Sequence, residues 1–351
     1  MSLTITTIVP TFRRPVSLER ALHSVLSQSY RDIVVRVYDN ASGDATRALV
    51  ERLAAADSRV SYIGRPENIG AAENFIRAFD DVATPLCSFL SDDDYLLPGF
   101  FELAAAALDA DKEAGLYAGS TLEFDVNGEL RYAPVLAWPR TGRYRPDEAV
   151  LNMLDNRHPT WTGVVFRAAS LRAAGGLDRA ASEALDLDAE LRVAAAGPII
   201  VSFEPAAVYT VHPARVSAEQ TAAVIPSYER IITHLEEANA LTPAVRREAG
   251  FRLRRQLRMK LLEISVKAQV RGDSAAAQRA AHLLRTRHGW PFLGGALAWG
   301  LWVCSRFAPA QALLARLETL RLRLRAAKAR RQAQRAAMTS PGSAGKLPIT
   351  V

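Results

Sequence analysis

The 351-residue chain is 49% hydrophobic, carries a formal net charge of +7, and holds two cysteines, Cys87 and Cys304, both in apolar surroundings. That is ample apolar material for a buried core, while two isolated cysteines exclude a disulfide framework and a cysteine metal site and fit a reducing compartment. The opening "MSLTITTIVPTF" has no basic segment ahead of an apolar stretch, so no secretory signal is expected.

The charge is unevenly divided. Residues 230–351 hold 23 Lys/Arg against 6 Asp/Glu, and residues 1–229 hold 21 against 31. An acidic first part suits a metal and a nucleotide, and a strongly basic second part suits an anionic surface.

Residues 3–10, 32–39, 59–64 and 85–90 read as strands, alternating with helical patterns at 15–28, 42–56 (with Ser42 as a cap), about 69–79, and from Pro98 onward. This alternation predicts a parallel sheet with ligands gathered at the carboxyl ends of its strands. From about 115 to 215 the pattern changes to a hairpin around Asn127-Gly128, a strand in "HPTWTGVVFR", a helix in "LDLDAELRVAAAG" and a late strand in "VSFEPAAVYTVHP".

Beyond about 220 the chain reads as helical and rich in Arg and Ala, and residues 288–305 carry no full charge. A spanning helix needs about 20 mainly apolar residues, and Pro291, Gly294, Gly295 and Gly300 weaken this one. With the basic amphipathic "AQALLARLETLRLRLRAAKARRQ" behind it, an interfacial membrane anchor is expected rather than a span. The plainer reading is an apolar helix packed on the core with a solvated basic tail. The last dozen residues read as disordered.

The chemistry gathers at strand ends. In "LCSFLSDDDYLLPGFF" an apolar run stops before three consecutive carboxylates, Asp92, Asp93 and Asp94. Hard oxygens there suit Mg²⁺ or Mn²⁺ on a diphosphate, although acidic runs also serve as solvated turns. Asp39 closes the second strand, where a carboxylate accepts from a base or ribose or else forms an Asx turn. Asp186 opens a helix, where it either stabilises the dipole or removes a proton from a sugar hydroxyl. His212 precedes a proline at a strand end, as a metal ligand or a polar exit from the core. Trp161 and Thr162 line a sugar wall or the core.

Their order along the chain is specific. "TIVPTFRRPVSLERALHSVLSQSYRDIVVRVYDNASGD", "ENIGAAENFIRAF", "FLSDDDYLLPGFF", "GGLDRAASEALDLDAELRVAAAG" and "VYTVHPARVS" together resemble inverting family 2 glycosyltransferases over roughly residues 4–217. The resemblance implies an α/β architecture of GT-A type: a mostly parallel Rossmann-like sheet flanked by helices, with a helical C-terminal extension. It implies that Pro10, Thr11, Arg13, Asp39 and Asn68 contact the nucleoside and Asp92 the ribose. Asp93 and His212 would bind Mg²⁺ or Mn²⁺, and Asp186 would be the general base. Trp161 and Thr162 would line the acceptor side, and Asp94 would support the loop. Three positions depart from the family pattern: Ser91 replaces the first carboxylate of Asp-x-Asp, Leu185 the Glu before the base, and Thr210 the Arg of Tyr-Arg-x-His. No Gln-x-x-Arg-Trp motif is present, which argues against a processive synthase.

The expected organisation is a catalytic domain over 1–220, with a nucleotide-sugar half to about 115 and an acceptor half from 116. A basic helical region would follow over 221–335 and a tail over 336–351. The expected activity is metal-dependent transfer of a sugar from a nucleotide-sugar, with UDP favoured, to a glycan or lipid-linked hydroxyl. Its expected place is cytoplasmic, peripheral on the inner face of the membrane. The rivals are a non-catalytic nucleotide binder and a nucleic-acid binder. The latter is disfavoured because the basic helices carry Leu stripes and few aromatics.

Overall fold

The computed structural model describes residues 3–124, 130–210, 218–286, 291–306 and 308–339. Strands β1 (Ile5–Thr11), β2 (Ile33–Asp39), β3 (Val60–Gly64) and β4 (Leu86–Phe89) are joined by helices α1 (Pro15–Leu26), α2 (Thr46–Ala56) and α3 (Ala71–Asp80). The four strands lie parallel in the order β3-β2-β1-β4. Every residue of β1 is buried, as a central parallel strand covered on both faces requires. Its side chains alternate: Ile5 and Val9 face one apolar layer and Ile8 the other. Helix α1 buries Leu18, Ala21, Leu22 and Val25, the apolar stripe read from the sequence.

The second half comprises β5 (Tyr95–Leu96), α4 (Phe100–Ala110), β6 (Leu116–Phe124), β7 (Leu130–Tyr132), β8 (Gly142–Tyr144), α5 (Pro146–Met153), β9 (Val164–Arg167), α6 (Ala168–Ala173), α7 (Leu185–Ala196) and β10 (Ile199–Tyr209). It continues the same sheet as β4-β9-β6-β10-β5. Strand β9 runs antiparallel to both β4 and β6, and β10 runs parallel to β6 but antiparallel to β5 and β8. The sheet is therefore mixed, wholly parallel only in its first half, and it changes character at the β4/β9 junction, beside the acidic run.

Local boundaries differ from the sequence reading in three places. Helix α2 starts at Thr46, and Ser42 instead accepts a hydrogen bond from the Arg13 amide at 2.9 Å, so it ties two strand ends together. Helix α4 starts at Phe100, after Gly99 in the left-handed region (φ +82°), because β5 uses the residues before Pro98. The "HPTWTGVVFR" strand begins only at Val164; Trp161–Gly163 is a 3-10 turn. The expected Asn127-Gly128 turn lies outside the described residues, although β6 and β7 on either side of it pair antiparallel.

Five helices follow: α8 (Ala218–Glu237), α9 (Pro243–Val270), α10 (Ser274–Thr286), α11 (Pro291–Arg306) and α12 (Ala308–Thr339). Ile231 and Leu235 of α8 and Leu253 and Leu257 of α9 are buried in the same apolar cluster as Leu187 and Leu191 of α7. A buried charge network pins them there. Asp188 accepts from Arg192 Nε at 2.8 Å and pairs with His234 Nδ1 of α8 at 2.7 Å, while Arg230 of α8 reaches Asp178 at 2.6 Å. Removing one partner would strand an uncompensated charge, a far larger penalty than loss of a surface pair. Among the described residues no helix is long and apolar enough to cross a membrane.

Candidate active site

The three carboxylates after β4 are buried; Asp92 and Asp93 share Arg14, and Asp94 faces the second half of the sheet. Asp92 Oδ2 accepts from Thr11 Oγ1 at 2.8 Å, and its Oδ1 faces Arg14 at 3.1 Å. Asp93 Oδ2 takes the same guanidinium nitrogen at 2.5 Å, and its main-chain carbonyl accepts from Arg20. Asp94 accepts from Thr162 Oγ1 at 2.6 Å and from the Thr210 amide at 2.8 Å. Burial raises the carboxyl of Asp92 against the opposing pull of Thr11 and Arg14. Burial pushes Asp94 up to about 7, with its two hydrogen bonds only partly offsetting it.

The nucleoside-side candidates share one edge. Asp39 pairs in register with Thr11 across β1 and β2. Its Oδ1 accepts from the Ser42 amide at 3.0 Å and its Oδ2 from Tyr62 Oη at 2.7 Å, so the Asx-turn reading holds here. Asn68 Oδ1 accepts from Asn40 Nδ2 at 2.8 Å, which brings that loop to the same edge. Arg13 and Ala41 take positive φ (57° and 61°) without being glycine, a local strain typical of functional strand ends. Arg65 also belongs here: its Nε donates to Asn74, while its buried Nη2 has no acceptor among the described residues.

The acceptor-side candidates share a cavity of about 220 Å³ whose lining includes Ser91, Asp94, Trp161, Thr162, Glu183 and Asp186. Asp186 sits in the first turn of α7, with Oδ1 accepting from the Leu187 amide at 2.8 Å. Asp186 thus bonds one amide of its helix's first turn and also lines the cavity. Trp161 belongs to the core and lines the same cavity. Its ring packs on Phe89 and Phe75 (centroids 4.2 and 5.3 Å), and its buried Nε1 has no acceptor among the described residues. The turn lies close to the sheet because residue 163 is glycine; a Cβ there would overlap Thr121 Oγ1 and come within 3.2 Å of the Gly119 carbonyl.

Among the described residues no three His, Cys, Asp or Glu side chains are placed together to hold a metal ion, and His212 lies outside the described residues. The donor set nevertheless fits a cation. The Arg14 guanidinium already stands between Asp92 and Asp93, and a Mg²⁺ or Mn²⁺ ion on a diphosphate needs only one or two such oxygens from the protein.

Residues 6–172 match the family described as "Glycosyl transferase family 2". These residues form a glycosyl transferase family 2 domain. Over 93 residues the chain is 37% identical to the GalNAc(5)-diNAcBac-PP-undecaprenol beta-1,3-glucosyltransferase of Campylobacter jejuni, covering 26% of this chain and 30% of that protein. The chain therefore spans under a third of that relative's length. The fold is shared more widely. The S. aureus TarS 1–349 structure in complex with UDP-GlcNAc superposes with TM-score 0.62 at 18% identity, covering 87% of this chain and 91% of that one. The mannosyltransferase PcManGT of Pyrobaculum calidifontis, in complex with GDP-Man and Mn2+, gives 0.51 at 17% identity, covering 95% and 88%. The architecture is accordingly a GT-A-type mixed sheet flanked by helices, with a helical C-terminal region.

Around the family 2 domain's acidic loop, sequence reasoning missed Arg14, Arg20 and Glu183. Arg20 donates to Thr210 Oγ1 at 3.2 Å and stacks on Tyr95, so a guanidinium still reaches the position where the family's Arg has become Thr. Glu183 lines the cavity two residues before Leu185, the position that lost its carboxylate. The only sequence signal was an acid three residues upstream of Asp186. Asp94 yields a pH prediction. Its carboxyl titrates near 7 when folded but near 4 when unfolded, so the folded state holds the extra proton and stability falls as pH rises between those values. Melting temperatures of Asp94→Asn between pH 5 and 8 should decline less steeply than those of the unsubstituted protein.

Proposed function

We propose that the protein is an inverting glycosyltransferase that moves one sugar from a nucleoside-diphosphate sugar, UDP-linked for preference, to a hydroxyl of a cell-surface glycan or lipid-linked acceptor. The observation that carries this reading is the shared cavity, which joins the acidic loop through Ser91 and Asp94 to Asp186 and the Trp161 wall within a family 2 domain. The UDP-GlcNAc in the TarS structure and the undecaprenol-linked name of the Campylobacter relative support the substrate classes.

In this reading Thr11, Arg13 and Asp39 hold the nucleoside, with Pro10 and Asn68 shaping the edge and Asp92 meeting the ribose. Trp161 and Thr162 orient the sugar and the acceptor. Asp186 receives the acceptor's hydroxyl proton as the oxygen attacks the anomeric carbon from the face opposite the leaving diphosphate. Asp93, with His212, would hold a Mg²⁺ or Mn²⁺ ion, which offsets the charge on the departing diphosphate; the Mn2+ in the PcManGT structure supports that assignment. Arg14 and Arg20 add fixed positive charge at the same place. Orientation and charge stabilisation are each worth several kcal/mol in such reactions.

The substrates also bear on where the enzyme works. Trp299 and Trp302 of α11 and Leu313, Leu317, Leu320 and Leu324 of α12 are exposed. The four leucines, spaced four, three and four residues apart, form one helix face with Arg316, Arg323 and Lys328 beside them. A row of leucines edged by cations suits an anionic bilayer surface, where each basic residue contributes about 1 kcal/mol. Two copies packed on this face would bring like charges together, which disfavours self-association. We therefore place the enzyme on the inner face of the cytoplasmic membrane.

Asp186→Asn should leave UDP affinity within a few-fold by calorimetry and lower UDP release from the preferred UDP-sugar by at least about 1,000-fold; retained turnover removes Asp186 from the base role. Chelation with EDTA should abolish turnover, and added Mn²⁺ or Mg²⁺ should restore it. In sedimentation with phosphatidylglycerol vesicles the full chain should co-pellet at low salt, and the Leu317→Asp, Leu320→Asp double variant should stay in the supernatant.

A further inference from the structure

Helix α7 is buried on nearly all sides, and the charges it hides fall into two sets. One set, Asp188 with Arg192, is answered by His234 of α8. The other set is Glu190, which has no role in the reaction as described. Glu190 is 0% exposed; its Oε2 meets His158 Nδ1 at 3.3 Å, and its Oε1 is buried with no partner among the described residues. It stands four residues after Asp186, and residues so spaced are neighbours on one helix face. His158 belongs to the loop that leads into the Trp161 turn, and its side chain is partly exposed.

We propose that His158 and Glu190 are a positioning pair for Asp186, holding a proton behind the base and fixing the direction of its carboxylate. This rests on the reading of Asp186 as the base. A buried carboxylate one turn from an ionised one is unfavourable unless a proton or cation lies between them. The imidazole supplies it, because His158 reaches Glu190 while the charge of Asp186 acts on both members of the pair. Burial pushes the Glu190 carboxyl up to about 8, its link to His158 drawing it back. Burial works to lower the His158 imidazole, but the hydrogen bond to Glu190 and the charges of Glu190 and Asp186 raise it overall. The pair thus keeps its proton through neutral pH.

The surrounding groups leave this arrangement undisturbed. Lys260 of α9 opposes a charge on His158. On the other elements packed against α7, Glu183 of the 3-10 turn lines the same cavity as Asp186, and the following groups are engaged elsewhere. In α5, Asp147 takes the Thr242 amide and Glu148 takes Arg140; in α6, Arg172 takes the Val82 carbonyl. In α8, Arg230 and His234 face Asp178 and Asp188. In the 3-10 turn Arg179–Ala184, Arg179 pairs with Glu73.

The test needs no substrate in its first arm. With ¹³C-labelled histidine in the full chain, and the His158 resonance assigned by its loss in His158→Gln, the imidazole midpoint is followed by NMR. It should fall by roughly half a pH unit or more in both Glu190→Gln and Asp186→Asn. A midpoint that moves with Glu190→Gln alone makes the pair a packing contact and overturns the proposal, as does one that moves with neither. Circular dichroism melts confirm that each variant is folded. In the second arm, Glu190→Gln should lower kcat for UDP release from the preferred UDP-sugar roughly ten- to a hundred-fold with the donor KM within two-fold. Unchanged kcat overturns the proposal. Turnover retained in Asp186→Asn is the distinct signature of failure of the base assignment itself.

Discussion

Three adjacent carboxylates held almost without solvent are the constraint around which this molecule is arranged. Asp92, Asp93 and Asp94 are each under 10% exposed, and buried anions persist only where hydrogen bonds and opposite charge surround them. Those partners come from everywhere: Thr11 from the end of β1, Arg14 and Arg20 from the start of α1, Thr162 from the turn before β9, and Thr210 from the end of β10. Neutralising the acidic run therefore docks the second half of the sheet onto the first. The change of the sheet from parallel to mixed falls at the same junction, so topology and electrostatics meet at one place.

The C-terminal helices extend this logic. Helices α8 and α9 contribute to the same apolar cluster as α7 and close the back of the helix that carries Asp186. Their contacts combine hydrophobic burial with the Asp188–His234 link, which fixes orientation where burial alone does not. By contrast α12 keeps a broad face outward. One part of the basic region thus packs into the interior, and the other faces outward.

Much of the first half was legible from periodicity, because β1, β2 and β4 are fully or largely buried and α1 to α3 show one clear apolar stripe. The shared edge of Thr11 and Asp39 followed from strand order, whereas Asn68 came from the family resemblance. Boundaries failed where a tertiary contact outranked local propensity: Ser42 serves Arg13 rather than capping a helix, and Pro98 follows a short strand rather than opening α4. Buried polar residues were the least readable. Asp188 and Arg192, four residues apart, have the spacing of a solvated helical face and Glu190 points another way; only long-range partners, His234 and His158, reveal that both sides are inside. Arg14 was hidden for the same reason, since its carboxylate partners lie about 80 residues further along the chain.

The absent side chain at Gly163 has a consequence for how such an enzyme diversifies. The indole beside it rests at a height set by direct contact between the turn and the spine of the sheet at Thr121 and Gly119. Any heavier residue there would lift the floor of the chamber and displace Thr162 from Asp94. On the proposed reading, changes in acceptor preference then fall to the rim, at Thr160, Ser182 or Glu183.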